Sequence, residues 1–181
     1  MARTLITPRD LLVATDAPVR LEVEIERRVW PFFDPPLAGE QVEVGGQTAL
    51  TDPEGEARID LGCRGPGFHR LPIRHGAETA EAWVAVVARD APIFITDIDH
   101  TIADVSSFGF IFRKVGEVRP LPGALEALER IAARMQLVYL SARDHIFTRK
   151  TKEWLAAQRF PPAPVYLRRR TRFWTVRSRD H

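Results

Sequence analysis

Residues 19–26, VRLEVEIE, alternate without a fault between apolar Val19, Leu21, Val23 and Ile25 and charged Arg20, Glu22, Glu24 and Glu26. A period of two is the signature of a strand with one dry face. Short strand candidates follow at 41–44, 57–61, 69–73 and 83–88. Turn signals separate them: DPP at 34–36, GG at 45–46, DPEG at 52–55, GPG at 65–67 and HG at 75–76. Nothing before Asp90 has a helical period. Regularly spaced short strands with turns between them predict a small antiparallel β-sandwich over 1–90.

The pattern changes at about Asp90. Residues 93–95 form a β-branched and aromatic run suited to a strand buried on both faces. Pro122 and Gly123 then open a helical pattern, with Leu125, Leu128, Ile131, Ala132 and Met135 on one face. A second buried strand is expected at 137–140, a helix at 148–158 and a third strand at 164–168. Strand, helix, strand, helix, strand predicts an α/β unit over 91–181, with a parallel sheet and right-handed crossovers.

Charge divides along the same line. Residues 1–91 carry 10 basic and 15 acidic side chains; residues 92–181 carry 16 and 9. A positive second half suits an anionic partner. The single cysteine, Cys63, excludes an internal disulfide and makes a reducing cytoplasm the default. No apolar run is long enough to span a bilayer, and the N-terminus has no signal-peptide core.

Reactive groups fall where such a sheet holds ligands, beyond the carboxyl ends of its strands. FITDIDHTIAD, 94–104, places Asp97 and Asp99 two apart at the first strand end. YLSAR, 139–143, places Ser141 and Arg143 at the second. Two neighbouring carboxylates repel, so a positive group belongs beside them. Mg²⁺, a hard oxygen-seeking cation that often brings a phosphate, fits that role.

FITDIDHTIAD resembles the first motif, DxDx(T/V), of the haloacid dehalogenase superfamily, and YLSAR resembles the second. The series DIDHTI, PLPGALEALERIA, LVYLSARD, TKEWL and FPPAPVYLR looks like the App1 and lipin phosphatidate phosphatase branch, whose members also place a β-rich segment before the motif. PLAGEQVEVGGQTALTDPEGEARIDL resembles a hairpin of immunoglobulin-like or transthyretin-like modules. The resemblance implies a partial doubly wound parallel sheet of haloacid dehalogenase type after a β-sandwich, and a Mg²⁺-dependent phosphomonoester hydrolase. Asp97 would be the nucleophile, forming an aspartyl phosphate. Asp99 would be the acid and base, and both aspartates would serve the metal. Ser141 and Arg143 would bind phosphate, Arg143 alternatively pinning the loop, and Thr101 would hold the loop.

Other residues read more plainly. His100 is a solvated or outer-sphere histidine. Asp104, Asp144 and His145 are surface or capping residues, and Lys150 and Lys152 sit on a solvated helix face. Residues 105–118, with Phe108, Phe110, Ile111 and Phe112, form either a flap suited to a phosphorylated small molecule or phospholipid, or a hairpin on the sheet. The segment LRRRTRFWTVRSR suits an anionic membrane surface, with nucleic acid the weaker partner.

The resemblance also calls for a later lysine and one or two distal acids. There is no lysine after Lys152, and only Asp180 follows Glu153 among acids. The first strand would then be a sheet edge. Three explanations are open: a chain that is a piece of a longer protein; an edge covered by an oligomer, a second chain or the sandwich; or a binding or assembly module that has lost catalysis.

Overall fold

The computed structural model describes residues 3–28 and 35–169. Asp34 of the expected DPP turn and the arginine-rich stretch from 170 onward lie outside the described residues. Two sheets form the first half. One has the order β1-β3-β6, from β1 (Arg3–Pro8), β3 (Arg20–Arg28) and β6 (Glu56–Asp60), all antiparallel. The other has the order β2-β8-β7-β4-β5, from β2 (Leu11–Ala14), β4 (Gln41–Val44), β5 (Gln47–Leu50), β7 (Gly67–His75) and β8 (Glu78–Val87). Only β2 in that sheet runs parallel to its neighbour, β8.

Their facing sides bury Leu21, Val23 and Ile25 from β3 against Val42, Val44, Ile73 and Val84. Full burial of each such side chain contributes roughly 1.5–3 kcal/mol. The DPEG turn depends on Gly55: its φ is +78°, and an added Cβ would stand 2.7 Å from the Ile25 carbonyl oxygen. A residue with a side chain meets both penalties there. β1, β2 and β5 have no alternation strong enough to announce them; pairing with β3, β8 and β4 makes them strands.

The third sheet is parallel, in the order β11-β10-β9, from β9 (Ile93–Asp97), β10 (Gln136–Asp144) and β11 (Val165–Arg168). Between β9 and β10 run α1 (Ser107–Phe112), a 3-10 turn at Val115–Glu117 and α2 (Ala124–Ala132); α3 (Thr148–Ala157) joins β10 to β11. Helix and loop residues Leu128, Trp154 and Phe160 pack with Leu137, Tyr139 and Val165 of the sheet in a second core. Trp83 of the sandwich belongs to that core as well, so the halves meet through packed side chains.

The expected fold class is overturned. Among the described residues, eleven strands dominate three short helices, and most strands are antiparallel sandwich strands. The parallel sheet has three strands added in one direction, with no reversal of order. A doubly wound sheet of haloacid dehalogenase type needs that reversal and helices on both faces. Here one face is bare: Ile95 is 62% and Leu140 52% exposed, with Ile93 also exposed. Residues 93–95 are therefore not buried on both faces.

Three local expectations change too. β3 has two dry faces, because Glu24 and Glu26 are buried along with the apolar set. β10 continues to Asp144, so Ser141 and Arg143 lie inside the strand. Residues 105–118 form a short helix and a 3-10 turn, not the hairpin that was one of the two expectations.

Candidate functional site

The parallel register sets Leu140 beside Asp97, which places Ser141 and Arg143 next to the loop that carries Asp99. Four expected residues thus gather at one end of the sheet. Asp97 is exposed, and one of its carboxylate oxygens accepts from the Ile98 amide at 2.7 Å. Asp99 is half-buried. Arg143 donates to its Oδ1 from Nη2 at 2.8 Å and from Nε at 3.0 Å. Ser141 and Ser107 hydroxyls both donate to Oδ2 at 2.7 Å. Burial opposes ionisation of Asp99, but the bonds from Arg143, Ser141 and Ser107 outweigh it and hold the carboxyl below its ordinary range.

Arg143 is buried under the Phe110 ring, 3.4 Å from its centroid, and also donates to the Thr151 hydroxyl at 3.2 Å. It thereby ties the β9–α1 loop to β10 and α3. Lys150 donates to the Phe110 and Ile111 carbonyls at 2.6 and 3.1 Å, fastening the end of α1 to α3. It is not on a solvated helix face. Thr101 is exposed, its backbone amide reaching the Ile98 carbonyl at 3.4 Å. His100 is exposed with φ +55°, a left-handed conformation that histidine tolerates better than most residues.

The expected Mg²⁺ ion fits this arrangement poorly. One carboxylate, Asp97, faces solvent, while both oxygens of Asp99 are taken by Arg143 and two hydroxyls. A hard six-coordinate ion held by protein wants more oxygen donors than that.

A second polar cluster lies where the β10–α3 junction meets the outer face of β3. Residue order alone did not point to it. His145 is buried, contrary to the surface reading. Its Nε2 stands 3.1 Å from Glu24 Oε2 and 4.0 Å from Glu26 Oε2, and its Nδ1 3.1 Å from Asp144 Oδ1. Burial alone would lower the imidazole pKa, but Asp144 and Glu24 raise it to about 9. Asp144 does cap, accepting from the Ile146 amide at 3.1 Å. Beside the cluster is a cavity of about 210 Å³, lined in part by Thr7, Arg9, Glu22, Glu56, Tyr166 and Arg169.

Lys152 is also buried, contrary to expectation. It donates to Asp10 Oδ1 at 2.6 Å and to the Glu81 carbonyl at 2.8 Å. Asp10 in turn accepts from the Trp83 amide at 2.8 Å and the Val165 amide at 2.9 Å. Burial pushes Asp10 up and Lys152 down, and their mutual attraction offsets only part of it.

No family model matches the chain, and no curated protein matches it. Solved structures similar to part of it include the following two. One is domains 4 and 5 of the S-layer protein SbsC, at 14% identity and a TM-score of 0.33, covering 48% of this chain and 51% of that one. The other is the titin M10–obscurin-like 1 immunoglobulin complex, at 20% identity and a TM-score of 0.26, covering 49% and 95%. The chain spans about half the length of the S-layer structure. Among the described residues, no helix is long and apolar enough to cross a membrane.

Proposed function

We propose that the chain hydrolyses phosphomonoesters through Asp97. One observation carries this reading: of the four residues gathered at one end of the parallel sheet, Asp97 alone presents an exposed carboxylate. An Asp97 oxygen attacks phosphorus, the ester P–O bond breaks, and the alcohol leaves as its anion, taking a proton from water. Water then attacks the aspartyl phosphate, releasing inorganic phosphate and restoring Asp97. Ser141 and Arg143 hold Asp99 and with it the loop that follows Asp97, as positioning residues.

Held ionised by Arg143, Asp99 has no proton to give the leaving group. The reaction therefore favours esters whose alcohol leaves unaided, and aryl phosphates turn over faster than alkyl ones. Phe108 and Phe112 are 72% and 74% exposed and form an edge-to-face pair on α1. The same helix supplies Ser107 to Asp99. An apolar rim so placed suits an amphiphilic phosphate such as phosphatidate, which as an alkyl ester turns over more slowly than an aryl phosphate.

A second reading, a non-catalytic binding or assembly role, is favoured by the saturation of Asp99, Ser141 and Arg143 by one another. Hydrolysis of 4-nitrophenyl phosphate by the wild type and Asp97→Asn, with and without added Mg²⁺, separates the two. Turnover that disappears in Asp97→Asn supports the hydrolase. No turnover in either protein rejects it in favour of the second reading.

A further inference from the structure

We propose that Glu24, Glu26 and His145 bind a divalent transition-metal ion, Zn²⁺ being the best match, at the junction of the sandwich and the parallel sheet. Glu24 and Glu26 share one face of β3 and His145 follows β10, and each is at least nine-tenths buried: Glu24 is 7%, Glu26 5% and His145 8% exposed. One ligand atom from each lies within 4.8 Å of the others. Zn²⁺ bonds of about 2.0–2.2 Å at a tetrahedral angle separate neighbouring ligand atoms by about 3.4 Å. The Nε2-to-carboxylate distances of 3.1 and 4.0 Å bracket that value.

A second observation comes from the imidazole itself. Both ring nitrogens are fully buried and neither completes a hydrogen bond, although a carboxylate oxygen stands 3.1 Å from each. The oxygens are near enough but lie off the N–H direction. A metal ligand pair has this relation, since the ion occupies the nitrogen's axis and the oxygen sits to one side of it. Asp144 lies 3.1 Å from Nδ1 and would become the outer carboxylate that orients a metal-bound histidine once the ring turned to complete that bond. Imidazole with two carboxylates suits Zn²⁺ better than Mg²⁺, which prefers oxygen alone. The adjoining cavity leaves room for water at a fourth position. Because the ligands come from both halves, the ion would also tie them together.

The experiment is Zn²⁺ retention. Chelator-treated protein is loaded with excess ZnCl₂, desalted and assayed by elemental analysis, with thermal melting before and after and Mg²⁺ as the control ion. One retained equivalent and a higher Tm with Zn²⁺ but not Mg²⁺ are expected. Stoichiometric retention is lost in His145→Gln and Glu26→Gln, and affinity falls about 10- to 100-fold in Asp144→Asn. Co²⁺ loaded into the wild type provides a readout independent of variant folding, because a tetrahedral site gives intense visible absorption. Less than a stoichiometric equivalent in the wild type overturns the proposal, as does retention unchanged in both ligand variants. So does a Co²⁺ spectrum indistinguishable from the aqueous ion.

Discussion

β9 and β11 are the two edges of one three-stranded sheet, built from similar residues, IFITD and VYLR, yet they end up in opposite surroundings. The sandwich closes over β11. Asp10 accepts the Val165 amide, the Tyr166 hydroxyl accepts the Leu12 amide at 2.9 Å, and Lys152 completes the junction. β9 has no neighbouring strand on its far side among the described residues, and Ile93 and Ile95 stay exposed. The contrast shows that an apolar strand becomes a buried strand only where something else arrives to cover it. At β11 the covering element also had to satisfy backbone amides that would otherwise be buried without partners.

The largest effect is expected on the closed side. Lys152→Met leaves the Asp10 carboxylate buried without its cation, which costs about 3–5 kcal/mol. Urea denaturation measures it. Adding Asp10→Asn removes the stranded charge and should recover part of the loss. A single-variant loss below about 1 kcal/mol would show that the closed edge does not depend on this pair.

A smaller effect is expected at the ends of the strands. Arg143→Met removes the cation from Asp99, which keeps two hydroxyl donors and some water, so the loss is about 2–3 kcal/mol. Acidity tests the same contact. The folded Asp99 carboxyl lies below its ordinary value of about 3.9, so the unfolded chain takes up its proton first as pH falls. The contribution is full above the ordinary value and disappears as pH drops through the folded one. The stability gap between wild type and Asp99→Asn should accordingly be flat near neutrality and narrow only below about pH 4. A gap that closes between pH 5 and 7 would contradict the assigned direction.

The smallest effect belongs to the open side. Ile95→Lys should change stability by no more than about 0.5 kcal/mol, the usual range for an exposed position. Thermal melting together with light scattering checks it. A loss of several kcal/mol, or a fall in assembly size, would show that the bare face is covered in solution.

The outline of the sandwich was legible because alternation and turn residues are local properties. VRLEVEIE, QVEV and the GG and DPEG turns each carry their own instruction, and the core strands form where they predict. The group Asp97, Asp99, Ser141 and Arg143 was legible for a related reason: both motifs lie toward the carboxyl ends of adjacent parallel strands, and the parallel register brings those ends together. The internal wiring of that group was not. That Arg143 grips Asp99 and leaves Asp97 facing water depends on Phe110 covering the guanidinium, a contact 33 residues apart in the chain.

The Glu24, Glu26 and His145 cluster shows where reading by residue order stops. One signal was present: glutamates at every second position of β3 share a face, and like charges so placed repel unless a cation stands near. Alternation specifies that a strand has two different faces. It does not say whether the polar face meets water or another element. That face became an interior because Trp83, Asp10 and Lys152 lock the sandwich against α3 and β11, bringing the end of β10 over β3. Local periodicity was enough for the core strands, the turns and the residues near the strand ends. Which edge was closed, which charges were buried and where a histidine met two glutamates depended on long-range packing, because burial is a property of what two surfaces exclude together.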